Sequence, residues 1–347
     1  MKKPALLLFA AFLLTLFADQ EVFGQMKRKQ IKRNNQMMSR YRGRKSSFDD
    51  KIYNSVGITL NSFNYYGDLS PTTSWISTDL SLTKPAVGFS ITHRYGPRYQ
   101  LTGSFTYGGI QGSDVESADP NDQNAAFRYV RNLSFRNRIS ELSFIAQFDL
   151  YENDQSYILR VPWTPYAFAG VAVFHHNPQA KVPATDLFGN PLPDAGEWTD
   201  LKPLQTEGES YSSFQFAIPF GLGVRFRLTD LLDIAAEFSV RYTLTDYLDD
   251  VSGNYIDLNT FGSNEKAKAL SYRSNEIPQG VSAFVDEIIA RTYNGYAGFT
   301  TVAGYGHENS GNIPNIRGNS DGRDVYMLTT IRLSYILGKT YNRAKFR

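Results

Sequence analysis

Three acidic side chains crowd together in Thr245-Asp246-Tyr247-Leu248-Asp249-Asp250, and several oxygen donors in one place suit a hard cation such as calcium. The run lacks the regular acidic ladder and central glycine of a calcium loop, so an acidic strand exit that hydrogen-bonds its own loop is the plainer reading. Histidine offers less: His175 and His176 are adjacent, and on a strand neighbours point to opposite faces. His93 and His307 stand alone. With no cysteine, the chain has no thiol for a lipid anchor, a disulfide or a soft-metal site. No Gly-x-Ser-x-Gly elbow or phosphate-cradling glycine loop occurs. The expectation is a protein without catalytic residues, bound cofactor or resident metal.

The elements that would position such groups are strands. In residues 214–228 the even positions are Phe214, Phe216, Ile218, Phe220, Leu222, Val224, Phe226 and Leu228, while Gln215, Gly221, Gly223, Arg225 and Arg227 fall on the odd ones. Residues 232–244 repeat the alternation, with Ile234, Phe238, Val240 and Leu244 against Asp233, Glu237 and Arg241. Only Thr229 to Leu231 separate the two, which predicts a hairpin. Weaker alternation marks 54–63, 86–95, 99–109, 140–150, 165–175 and 324–337, giving eight strands.

A soluble sandwich also alternates, but globular strands usually run ~5–6 residues, and strands that cross a bilayer run ~9–11. The expected fold is therefore all-β, an eight-stranded antiparallel transmembrane barrel. A lipocalin-like soluble barrel is the minor alternative. Short connections at Gly96-Pro97, 151–164 and 229–231 alternate with longer ones at 64–85, 110–132, 176–213 and 245–323, which places the long loops on one side. In outer-membrane barrels short turns are periplasmic, so both termini are expected in the periplasm.

So narrow a barrel has room inside for side chains only. Glu141, Asp149, Arg225, Arg227, Asp233, Glu237, Arg241 and Arg332 fall on expected inner faces, and their mixed signs predict a salt-bridged plug, with Arg225, Arg227 or Arg241 paired to Glu141 or Glu237. Phe216, Phe220, Leu222, Val240 and Leu244 are expected to face lipid. In the last loop Val281, Phe284, Val285, Ile288 and Ile289 recur at helical spacing and predict a short amphipathic helix over the barrel.

The ends carry separate information. Lys2, Lys3 and the apolar run Ala5–Phe17 read as a cleaved export signal spanning 1–24, too short to cross the ~20 residues of a bilayer core. Residues 25–50 carry Lys27, Arg28, Lys29, Lys32, Arg33, Arg40, Arg42, Arg44 and Lys45 against two acidic side chains, a net +7. The remainder, 51–347, holds 25 basic and 30 acidic residues. A basic arm on an acidic body is a candidate docking element for an anionic partner surface, and a merely solvated tail is the plain alternative. Residues 51–338 form the expected barrel and 339–347 a short tail.

Several stretches carry a family likeness: Asn64-Tyr65-Tyr66-Gly67-Asp68-Leu69, Arg131-Asn132-Leu133-Ser134-Phe135, Pro165-Tyr166 with Asn177-Pro178, Pro203-Leu204-Gln205-Thr206-Glu207-Gly208, Ile218-Pro219-Phe220-Gly221, and Arg241 through Ser252. In this order the chain resembles the PorG-like outer-membrane barrels of the Bacteroidetes type IX secretion system. The resemblance implies a non-enzymatic part of a protein-export and gliding-associated machinery, associated with a periplasmic ring of PorK- and PorN-type proteins. It carries over no catalytic residue. The basic arm departs from the likeness, so docking through it is inferred from charge alone. A free-standing small barrel acting as a channel or a surface-binding protein is the rival reading.

Overall fold

The alternating segments become long strands in the computed structural model, which describes residues 52–69, 83–296, 299–305, 315–320 and 322–338. The expected export signal, the basic arm with Lys27 to Lys45 and the tail at 339–347 lie outside the described residues. In chain order the strands are β1 (Tyr53–Tyr66), β2 (Lys84–Arg94), β3 (Tyr99–Ser113), β4 (Ser134–Asp149), β5 (Trp163–His175), β6 (Pro178–Lys181), β7 (Trp198–Asp200), β8 (Phe214–Arg227), β9 (Leu232–Thr243), β10 (Thr292–Tyr296), β11 (Phe299–Val302) and β12 (Val325–Ile336).

Eight of them close a ring in the order β1-β2-β3-β4-β5-β8-β9-β12, all antiparallel, with β12 returning to β1. The seam pairs Ser55 with Ile336 and Tyr66 with Val325. A closed ring leaves no edge of unpaired amides, the condition for strands to cross hydrocarbon. The expected limits were short in three places, since β1 runs on to Tyr66, β3 runs on to Ser113 and β4 begins at Ser134, the last two pairing along the length of β3.

The barrel is inside out relative to a soluble protein. Leu222 (65% exposed), Ile58 (62%) and Phe216 (61%) stand outside, as do Leu60, Val87, Phe89, Phe144, Phe220, Phe238, Leu244 and Ile331. Val240 lies on the same face, half-buried. Their alternate neighbours Thr59, Asn61, Ser90, Thr92, Glu237 and Thr330 are buried within. An apolar surface that girdles the whole sheet greatly exceeds the few-hundred-Å² patches of soluble monomers. It is the lipid face of a transmembrane barrel. At the short-turn end it finishes in Tyr95, Tyr99, Phe148, Tyr151 and Trp163, with the Arg98 guanidinium 5.7 Å from the Phe148 ring centre, the amphipathic girdle of a membrane–water boundary.

Inside, close approach dictates small residues: a Cβ at Gly223 would stand 2.6 Å from Cζ of Tyr166, whose ring fills the lumen from the neighbouring strand. The short connections 95–98, 150–162 and 228–231 share one end, and 67–83, 114–133, 176–213 and 244–324 share the other.

The long connections are more than loops. They hold α1 (Asp114–Ser117), α2 (Ala126–Arg131), α3 (Glu265–Ser271) and α4 (Ala283–Ile289), the β6-β7 extension of β4 and the β10-β11 hairpin. Ala126, Val130, Leu187, Tyr255, Leu258, Tyr272, Val285, Val302 and Tyr305 bury one another in a core of this cap. The predicted amphipathic helix is α4: the Ser282 side chain accepts from the Val285 amide, and Val285 faces the cap core while Phe284, Ile288 and Ile289 pack beside it. Helix α2 ends at Asn132, in the left-handed region at φ 56°, a conformation asparagine tolerates, and the turn feeds β4.

The lipid face makes a direct prediction. A charged side chain at mid-membrane costs ~2–4 kcal/mol, so Leu222→Arg should lower the folded fraction in lipid vesicles sharply while Leu222→Phe leaves it near wild type. Electrophoretic mobility of unheated samples reads the folded fraction, and equal yields of the two variants would contradict the membrane assignment.

Candidate functional site

The inward charges form a ladder along the barrel. At the short-turn end Arg160, from the 150–162 segment, reaches Asp233 of β9 at 2.5 Å and also donates to the Thr229 and Asp230 carbonyls. Above it Asp149 of β4 takes Arg94 of β2 and Arg225 of β8, each at 2.8 Å. Glu237 accepts from Arg332 at 2.8 Å and from the Tyr166 hydroxyl at 2.5 Å. Glu141 accepts from Arg241 at 3.2 Å and from the Tyr326 hydroxyl at 2.5 Å. Opposite charges out of bulk water hold only with such partners.

The structure therefore joins Arg241 to Glu141, whereas Arg225 goes to Asp149 and Glu237 goes to Arg332. Arg227 departs from the expected plug: it bonds Asp230 at 3.1 Å across the β8–β9 turn, where both are partly exposed. Its strand parity is inward, but it lies at the rim, where a turn carboxylate is nearer than any lumen partner. Sequence reasoning missed Arg94 and Arg160. Arg94 was findable, since the even positions of β2 face inward. Arg160 sits in an irregular segment with no periodicity to reveal it.

A second polar centre lies where the cap meets the barrel. The Tyr65 hydroxyl of β1 stands 2.7 Å from both Asp249 Oδ2 and Asp324 Oδ1. A phenol has a single proton to donate, so both contacts are satisfied as full hydrogen bonds when one of the two carboxyl groups is protonated and donates back to the phenol oxygen, in line with the burial that raises both. Asp324 also accepts from the Leu248 amide and Asp249 from the Val251 amide. Nearby, Arg131 grips Asp114 through two nitrogens at 2.7 and 2.8 Å and donates to the Asp68 and Arg317 carbonyls. Arg317 in turn pairs with Glu207 at 2.8 Å, and Glu207 accepts from the amides of Ser252 and Gly253. These arginines fasten the loops to one another.

The acidic run that suggested a cation is dispersed. Asp246 accepts from the Ser252 hydroxyl, Asp249 is spent on Tyr65, and Asp250, at φ 68°, takes the hydroxyls of Thr206 and Tyr211. Among the described residues no three His, Cys, Asp or Glu side chains converge as a metal cage. Burial pushes the Asp246 carboxyl up to about 7, against the pull of the Ser252 hydroxyl. Burial also raises Asp250 to about 6, opposed by Arg317. Asp249 is raised by burial and then by Asp324, and Asp324 by burial. His175 and His176 do point apart: His175 is exposed, and His176 is enclosed against Asn137 and the Ser212 carbonyl. Burial lowers the His176 ring to about 4. On the flank of the cap an open cleft of about 840 Å³ is bordered by Phe127, Arg128, Phe284, Ile288, Tyr305 and Ile316.

Residues 44–186 match a family described as a domain of unknown function, DUF6089, less than half of the chain. No curated protein matches the sequence. Among solved structures, similar folds include OprG of Pseudomonas aeruginosa, with 8% identity, TM-score 0.34, and 83% of this chain and 97% of that one covered. The N-terminal β-barrel domain of OprF from the same organism has 10% identity, TM-score 0.30, and coverage of 82% and 99%. The attachment invasion locus protein Ail of Yersinia pestis, solved with the heparin analogue sucrose octasulfate, has 7% identity, TM-score 0.30, and coverage of 82% and 97%. The architecture rests on the strand register itself.

Two predictions follow from the charges. Breaking a buried pair by removing one partner costs ~3–5 kcal/mol because the other charge is stranded. In urea titrations of the vesicle-inserted barrel, Arg241→Met should therefore destabilise more than the double variant Arg241→Met/Glu141→Gln, and a double variant at least as unstable as the single one would contradict the pairing. The second concerns pH. A carboxyl whose folded pKa is raised from 3.8 to about 7 favours folding in its neutral form and opposes it progressively as pH climbs between those values. Asp246→Asn mimics the neutral form. Its stabilising effect on the cap, read by protease nicking relative to wild type, should be absent near pH 4 and greatest above pH 7; an effect independent of pH contradicts the assignment.

Proposed function

We propose that this chain is a non-conducting, non-enzymatic outer-membrane scaffold, and that it serves as the membrane-embedded component of a type IX-like secretion machinery. The observation that carries the reading is the filled lumen, in which the ladder from Arg160 to Glu141 occupies the space that a channel would leave to water. The buried carboxylates each bind structural partners, which favours a scaffold over an enzyme. The cap, with a hydrophobic core of its own, offers a firm surface at one end of the barrel. The outer membrane is the compartment where closed barrels with an apolar girdle reside, and the short-turn end, where both described chain ends emerge, is assigned to the periplasm.

The machinery itself rests on the motif resemblance, four of whose stretches meet in the structure. Arg131, Asp68 and Glu207 from three of them lie in the arginine-linked junction under the cap, and Tyr65 meets Asp249 there. The partners proposed are periplasmic ring proteins of PorK and PorN type, with the basic arm, Lys27 to Lys45, adding long-range attraction to an acidic face. A free-standing surface-binding barrel is the second reading, favoured by the cleft beside Phe127 and Ile316.

Affinity purification from detergent-solubilised membranes separates them: a secretion component should bring large periplasmic proteins with it, and a free barrel should come alone. Deleting residues 27–45 behind the intact signal should leave the barrel in the membrane but reduce recovery of those partners, most at low salt and less as salt rises and weakens the wild type's own arm-dependent binding, since exposed charges are screened beyond ~8 Å at physiological ionic strength. Undiminished recovery at low and high salt removes the arm from the proposal. Steady, large single-channel conductance of the purified wild type would overturn the scaffold reading.

A further inference from the structure

Low in the barrel, between the rungs of Asp149 and Glu237, lies a narrow cavity of about 20 Å³ whose wall includes Gln100, Gln147, Tyr166, Arg225, Arg332 and the Asp233 carboxylate, the last held by Arg160 at 2.5 Å. It has room for one small occupant, since a water needs roughly 10–15 Å³. Two of its walls carry donors with nothing to donate to: Nε2 of Gln147 and Nε of Arg332 are buried and have no acceptor among the protein atoms. Gln147 and Arg332 are 3% and 6% exposed, so bulk water does not serve them. The Arg332 guanidinium cannot swing to find another acceptor, because its far nitrogen is held by Glu237 at 2.8 Å. A buried donor left unmet is destabilising. The occupant must therefore be an acceptor.

Charge narrows its class. Among the described residues enclosed between the short-turn end and the cap, five guanidinium groups (Arg94, Arg160, Arg225, Arg241, Arg332) face four carboxylates (Glu141, Asp149, Asp233, Glu237). At the cavity Arg160 matches the Asp233 carboxylate and Glu237 matches Arg332, whereas Asp149 alone serves both Arg94 and Arg225, and Arg225 lines the wall. A neutral water accepts the two hydrogen bonds and leaves the excess charge in a low-dielectric lumen. A monovalent anion answers both. We infer that this cavity is a binding site for one small halide-sized anion, chloride in the cell, held by Gln147, Arg332 and the field of Arg225.

The test uses the full barrel refolded in detergent with bromide as the probe. Crystals grown from it should show an anomalous scatterer between Gln147 and Arg332. In urea titrations at matched ionic strength, chloride should stabilise the protein relative to gluconate, which is too large to enter; chloride at ten times its dissociation constant lowers the unfolding constant about elevenfold. Gln147→Glu places a carboxylate beside the cavity, so this variant should lose both the bromide signal and the chloride dependence. Gln147→Leu removes one donor and should weaken the chloride effect in a fold that does not depend on a new charge. Bromide found only at surface positions, an adventitious ion only, or a non-anomalous water peak in the cavity overturns the inference. So does a wild-type unfolding midpoint equal in chloride and gluconate.

Discussion

Eight tilted strands enclose a lumen barely wider than the side chains that enter it, and the membrane outside denies those side chains any other solvent. Every inward charge must find its counterpart within the bore. That constraint explains why the partners sit on strands far apart in sequence, as with Glu141 on β4 and Arg241 on β9, or Glu237 on β9 and Arg332 on β12. It also explains the aromatic hydroxyls: Tyr166 and Tyr326 reach the same carboxylates and complete their hydrogen bonding while their rings take up volume. The ladder and the packing are one structure.

Much of the barrel was legible because strand parity is a local property. Alternation in 214–228 and 232–244 told lipid face from lumen face, and Arg225, Glu237 and Arg241 are inward as their positions require. Pairing is another matter. Parity says which way a side chain points and nothing about its height or its opposite number, which depend on the stagger of strands around the ring. Arg225 meets Asp149 because β5 separates β4 from β8 and the registers bring the two level. Arg160 has no parity at all, since it enters from an irregular segment beneath the bore.

The cap was the least legible part. Its core draws Ala126 from one connection, Leu187 from a second and Tyr255, Tyr272, Val285 and Val302 from a third. The contributors come in short apolar groups scattered over three connections, so no single window announces a domain-like core. Only α4 showed its periodicity. The junction is hidden for the same reason: Tyr65, Asp249 and Asp324 are nearly neighbours in space and lie at the start, the middle and the end of the barrel sequence.

The seam between β1 and β12 bears on how such a chain is made. Ser55 pairs with Ile336, so the ring closes only when the last strand meets the first, across almost the whole of the barrel sequence. Until then the sheet carries two open edges, which hydrocarbon does not tolerate and which in water invite pairing with other chains. The polypeptide must therefore reach its membrane complete and be kept from premature association on the way. Loss of the final strand, for the same reason, removes a closure and not merely one eighth of a wall: the shortened product is an unpaired sheet, a substrate for proteolysis and aggregation before it is ever a smaller barrel.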